Sequence, residues 1–128
     1  MNSIHQPNTS EFWQALDTLL SQSALIIDRP AGSSHPRYPD MIYPLDYGYL
    51  AGTSSMDGGG IDVWRGSDPA QALDAILVTV DLAKKDAEIK LLIGCTQSEK
   101  AAILGFHNQS EQMKGMLIEP KRAPDWQG

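Results

Sequence analysis

Phe12, Leu16, Leu19 and Leu20 recur at three- and four-residue spacing, which predicts an amphipathic helix over residues 9–21. Asn8 followed three residues later by Glu11 has the form of a capping box, and Ser21-Gln22-Ser23 ends the pattern. The stripe is expected to pack Phe12, Leu16 and Leu20 on the rest of the fold. Trp13 falls beside it, where it would serve as an exposed anchor for a partner subunit. Apolar, β-branched runs then predict strands at 24–28, 61–64, 75–82, 88–94 and 115–119. The stretch 83–87 between two of these runs predicts a hairpin. Thr96 with Glu99 forms a second capping box, ahead of a helix reaching about His107.

Between these elements the breakers cluster. Pro30, Gly32, Pro36, Pro39 and Pro44 make 29–40 a loop that runs into an extended, aromatic stretch from Tyr43 to Leu50. Asp57-Gly58-Gly59-Gly60 predicts a tight turn. Residues 1–8 and the proline-containing 120–128 are expected to be irregular. The order helix, short strands, helix, strand predicts an α+β fold: a small, five-stranded, mostly antiparallel OB-like β-barrel with flanking helices. The division expected is one domain over 1–128, with 1–23 as a helical extension and 24–119 as the barrel core with its helix.

Length and charge narrow the function. The chain has 128 residues, enough for one hydrophobic core without disulfides or metal. Sixteen Asp+Glu against ten Lys+Arg give a net charge of −6. That balance argues against nucleic acid and against anionic membrane surfaces as partners. It leaves room for a small anion, because metals held by carboxylates supply positive charge locally. The single Cys95 lies in the run Leu91-Leu92-Ile93-Gly94-Cys95 and reads as a small core residue. No basic-then-apolar segment opens the chain, so no signal peptide is expected and a cytoplasmic location is.

Candidate chemistry lies in carboxylates at turns. Asp57 and Asp62 flank the three glycines, Asp86 and Glu88 sit at the hairpin, and Asp28 ends a strand. Such oxygen donors suit Mg²⁺, Mn²⁺ or Ca²⁺; the plainer account is that Asp and Gly are common in turns. Tyr43, Tyr47 and Tyr49 have spacing suited to one strand face. They could offer hydroxyls to an anion or close an aromatic core.

Taken together, these residues resemble the soluble inorganic pyrophosphatases of the OB-barrel type (family I). Tyr43-Pro44-x-Asp46-Tyr47-Gly48-Tyr49, then Asp57-Gly58-x-x-Ile61-Asp62-Val63, looks like that family's tyrosine segment followed by its metal signature. Asp28-x-Pro30 with Arg37-Tyr38 looks like its acidic–x–Pro motif and phosphate-binding pair. Asp86-x-Glu88-x-Lys90 looks like its remaining metal carboxylates and a phosphate-binding lysine. The resemblance covers roughly 24–119. It implies Mg²⁺-dependent hydrolysis of inorganic diphosphate, with Mn²⁺ as a second possible ion, in a homo-oligomer.

The resemblance further implies Asp57, Asp62, Asp86 and Glu88 as metal ligands, Asp28 behind them, and Arg37, Lys90, Tyr43 and Tyr47 as phosphate contacts. Asp57, Asp62 and Tyr47 would be catalytic. The sequence also departs from the family. Gly59 stands where an Asp helps activate the attacking water, and Gly60 where Pro or Glu is usual. The segment between Tyr38 and Tyr43 is short and lacks the arginine carried there. His107-Asn108 replaces a Tyr-Lys pair; Glu88 stands for Asp and Asp28 for Glu. Asp46, Arg65, Lys84 and Lys85 are the charged residues that could replace what is lost. The alternative function is a catalytically degenerate phosphate- or metal-binding or assembly protein.

Overall fold

The computed structural model describes residues 9–120. The element order is α1 (Thr9–Ser21), β1 (Leu25–Arg29), β2 (Asp46–Leu50), β3 (Ile61–Arg65), β4 (Leu73–Asp81), β5 (Asp86–Ile93), α2 (Gln97–His107) and β6 (Met113–Ile118). The irregular stretches expected at 1–8 and at 121–128, and the Asn8 cap, lie outside the described residues.

The strands form one sheet in the order β1-β2-β3-β5-β4-β6. Every neighbouring pair is antiparallel except β3–β5. The expected five-stranded barrel is therefore corrected to six strands in an open sheet. β1 and β6 are its two edges, and no ladder joins them among the described residues. The sixth strand comes from the Tyr43–Leu50 stretch. Its second half pairs on both sides as β2, while Pro44, which has no N–H to give a ladder, keeps Tyr43 in the preceding loop.

Alternation along the strands sends residues to two faces. On one face Val63, Ile76, Leu91 and Ile93 join Leu50 in a core that α1 covers with Trp13, Leu16, Leu19 and Leu20. Trp13 thus packs on the sheet, and Phe12 is the exposed aromatic of α1, the reverse of the expected phase. On the opposite face Trp64, Leu77 and Leu92 pack under Ile103 and Phe106 of α2. Trp64 is core, and so is Cys95, as expected; burial first, with the Glu99 and Asp74 charges added, pushes the Cys95 thiol up to about 12 and keeps it protonated. The capping box of α2 is present: Thr96 Oγ1 accepts the Glu99 N–H, and Glu99 Oε1 accepts the Thr96 N–H.

Candidate functional site

The face under α2 is apolar at one end and polar at the other, because of register. Tyr47 lies opposite Trp64 and Tyr49 opposite Asp62 across β2–β3. Leu77 lies opposite Lys90, Thr79 opposite Glu88 and Asp81 opposite Asp86 across β4–β5. Directly opposite residues share a face, so Asp62, Asp86, Glu88 and Lys90 gather beyond the aromatic core. There they line a polar cleft of about 270 Å³ that also takes in Asp28, Asp57, Tyr43 and Tyr47. A larger groove of about 790 Å³ opens elsewhere, but its walls are mostly aliphatic, with Ile61, Val78, Val80 and Ile89 among them. The titratable groups converge in the smaller cleft.

Lys90 is its centre. The buried ammonium donates to Asp62 Oδ2 at 2.8 Å, Tyr47 Oη at 2.9 Å and Glu88 Oε1 at 3.1 Å. Burial pulls its pKa down; Tyr47 and Asp62 outweigh that and hold it above the usual lysine range. Burial raises the Tyr47 phenol, which keeps its proton. Burial also raises Glu88, against the pull of Lys90, and the nearby charges of Asp57 and Asp62 add to the rise.

Asp57 is organised by its own turn. Its Oδ1 accepts the Gly59 N–H and the Ser55 hydroxyl, both at 2.9 Å. The Gly59 bond, then Ser55, hold its carboxyl below the usual range. Gly58 has a φ of +84°, open to glycine at little cost, and lets the chain reverse here. Gly60 leaves no room for a side chain: a Cβ there would sit 2.7 Å from the Leu50 carbonyl oxygen.

Glu88 feels the charges of both Asp57 and Asp62, and hard oxygen donors so near one another fit a divalent cation by donor type. Among the described residues, no three Asp, Glu, His or Cys side chains converge closely enough to hold one ion as placed. Lys90 stands between Asp62 and Glu88 instead.

Asp28, Tyr43 and Asp86 line the cleft. Tyr43 is buried, and its ring lies 5.3 Å from Tyr47, 4.9 Å from Phe106 and 5.7 Å from Trp64. Arg37 is not brought to the cleft. It is exposed on the proline-rich loop, where its N–H donates to His35 Nδ1 at 3.0 Å. Four Pro and Gly residues between Arg29 and Tyr43 hold that loop in its own turns, with His35 N–H on Met41 O and Tyr43 N–H on Ser33 O.

Residues not singled out by motif also reach the cleft: Arg29 and His35, with Thr79, Asp81 and Met113. Arg29 Nη1 donates to Tyr43 Oη at 2.9 Å. The signal for Arg29 is an irregularity in β1–β2 pairing, which no sequence periodicity carries. Lys84 lines the cleft too. Arg65 and Asp46 pair with each other at 2.8 Å, and Asp46 also accepts the Ala31 N–H, so both hold structure. His107 is buried and accepts the Trp64 indole N–H, while Asn108 bonds Leu104 O and Gly115 O. His107 and Asn108 thus tie α2 to the sheet.

No protein family's sequence profile matches the chain, and no curated protein matches it. Solved structures do. An inorganic pyrophosphatase from Neisseria gonorrhoeae superimposes with a TM-score of 0.61 at 16% identity, over 79% of this chain and 84% of that one. An inorganic pyrophosphatase from Coxiella burnetii does so with a TM-score of 0.54 at 17% identity, over 74% of this chain and 84% of that one. The chain has a divergent pyrophosphatase-like fold. No described helix is long and apolar enough to cross a membrane.

Proposed function

We propose that this protein hydrolyses inorganic diphosphate, or a related phosphoanhydride, with a divalent cation, at a rate below that of typical pyrophosphatases. One observation carries the reading: on a pyrophosphatase-like fold, a wall of carboxylates meets buried and half-buried cations and tyrosine hydroxyls in one cleft of about 270 Å³. In the reaction one water adds across the P–O–P bridge and two phosphates leave. Asp57, Asp62, Asp86 and Glu88 would hold Mg²⁺ or Mn²⁺, which neutralises phosphate charge and acidifies a bound water. Lys90, charged throughout the neutral range, would bind phosphate through its positive charge while Asp62, Glu88 and Tyr47 hold it, and the protonated Tyr47 would donate to a phosphate oxygen. Tyr43, whose ring packs against Tyr47, would donate to phosphate as well. Asp28 would steady the carboxylate wall.

A specific observation favours a second reading, a relative that binds phosphate without turnover. Gly59 brings no side chain to the turn that presents Asp57, so the chain has no proton acceptor at that position. Loss of a general base typically costs about 10²–10⁴-fold in rate.

The test is phosphate release from diphosphate with Mg²⁺ or Mn²⁺, wild type against Asp62→Asn. The enzyme reading expects release above background and a loss of at least tenfold in the variant. No release, or release that Asp62→Asn leaves untouched, overturns it.

A further inference from the structure

β1 and β2 do not pair in regular register. Ile27 lies opposite Gly48, but Arg29, not Asp28, lies opposite Tyr47. Asp28 is therefore the extra residue of a β-bulge, and Asp28 and Arg29 together face one residue of β2. A regular strand would send these neighbours to opposite faces; a bulge re-aims a side chain. Here both Asp28 and Arg29 line the polar cleft. Gly48 lets the strands approach this closely, since a Cβ there would overlap the Ile26 carbonyl oxygen.

Charge and donor inventory single Arg29 out. Lys90 is held by two carboxylates and a phenol. Lys84 lines the cleft from an exposed turn. Arg37 is outside. Arg29 makes no ion pair among the described residues, and its one hydrogen bond there is to Tyr43. A guanidinium has five N–H donors in a fixed fork, so most remain for a ligand. Tyr43, which accepts from Arg29, keeps its own O–H to donate. The two side chains thus offer neighbouring donors to a single tetrahedral oxyanion. His35, stacked on Tyr43 with ring planes 7° apart, accepts two loop N–H groups at Nδ1 and borders the same spot.

We propose that Arg29, turned inward by the bulge at Asp28, is the guanidinium that binds a phosphate group in this cleft, together with the Tyr43 hydroxyl, and that Arg37 takes no part. The assignment rests on the anion-binding half of the reading above and does not need turnover. It also accounts for the short loop between Tyr38 and Tyr43: the bulge supplies an arginine from β1 itself.

The test is calorimetric titration with inorganic phosphate, with Mg²⁺ present, of wild type, Arg29→Gln, Arg29→Lys and Arg37→Gln. Charged hydrogen bonds of this kind are worth about 10- to 100-fold in affinity. Arg29→Gln should weaken phosphate binding at least tenfold, Arg29→Lys by less, and Arg37→Gln by under twofold. Should Arg29→Gln fail to fold, Arg29→Lys keeps the charge but loses the fork, and a loss of threefold or more still supports the assignment. Wild-type affinity in the Arg29 variants, a tenfold loss in Arg37→Gln, or no phosphate binding by wild type overturns it. Phosphate binding that depends on Arg29 without release from diphosphate would remove the hydrolytic reading and leave this one standing. Hydrolysis with Arg29-independent binding would do the opposite.

Discussion

Trp64 Nε1 donates to His107 Nε2 at 3.1 Å, joining the buried centre of β3 to the last turn of α2. To accept that bond His107 must be neutral at Nε2, and its ring is buried. Burial first, and the Lys90 charge second, push its pKa down to about 3. The native state therefore stays unprotonated here while the unfolded chain takes up a proton below its ordinary value of 6.5. Stability is complete above pH 6.5 and falls as pH drops from there towards 3. One proton is worth about 1.4 kcal/mol per pH unit, so lowering the pH from 7 to 5 should cost about 2 kcal/mol from this site. Urea unfolding of wild type and His107→Gln at both values checks it. The variant should lose less on acidification; equal losses would reject His107 as the cause.

Lys90 tests the polar end of the same face. Its side chain is 6% exposed, with Asp62 and Glu88 at 24% and 11%. Lys90→Met would leave two carboxylates without their cation. Breaking a buried pair in this way costs about 3–5 kcal/mol, and the partial exposure of Asp62 points to the lower figure. The midpoint of urea unfolding at pH 7 should fall with an unchanged slope. Adding Asp62→Asn and Glu88→Gln should restore much of the loss. A loss below about 1 kcal/mol would mean that water already screens the cluster.

Two glycines make opposite predictions. Gly105 lies within α2 and a Cβ there meets nothing within 4 Å. Gly105→Ala should stabilise by about 0.5–1 kcal/mol through the restricted unfolded chain. Gly48→Ala would press on the Ile26 carbonyl and force β1 away from β2, costing about 3 kcal/mol. Thermal unfolding of the two variants gives the signs; a neutral Gly48→Ala would show that β1 yields freely.

How much of this was legible before the structure depends on whether the determinant is local. The α2 cap was, because Thr96 and Glu99 lie three residues apart and their chemistry is self-contained. Asp57 lies in the glycine turn and Asp86 opens β5 where a turn ends, so both stand at local breaks; Glu88 lies inside β5 and shares the face of Asp86 by strand alternation. The phase of α1 was not: Phe12 and Trp13 are adjacent, either completes a stripe with Leu16 and Leu20, and only the sheet decides. Nor was the exchange of Arg37 for Arg29. A bulge is a property of two strands in register, and Asp28-Arg29 reads as ordinary alternation until Gly48 lies beside it. Barrel closure depends on edges 80 or more residues apart in sequence, and β1 and β6 do not pair.

Gly59 gives the sharpest test of what the cleft does. Its φ is not in the left-handed region, so an L residue suffers no backbone strain there. A Cβ would stand 3.3 Å from Asp57 Oδ1, a close contact with the end of a short side chain that can shift by a few tenths of an ångström. Gly59→Asp therefore puts a further carboxylate beside Asp57, at the cost of some like-charge repulsion. If the cleft hydrolyses diphosphate slowly for want of a proton acceptor, the variant should release phosphate faster, by roughly 10²-fold where the acceptor is the main deficit. The gain should need Mg²⁺ or Mn²⁺ and should vanish in Gly59→Asp combined with Asp62→Asn. Gly59→Asn controls for shape, since it adds bulk without a base, and should give no gain. An equal gain in Gly59→Asn would assign the effect to the turn's geometry. No gain in Gly59→Asp, with the fold intact by circular dichroism, would place the deficit in the phosphate contacts instead, where Asn108 bonds backbone carbonyls and Arg37 lies outside the cleft.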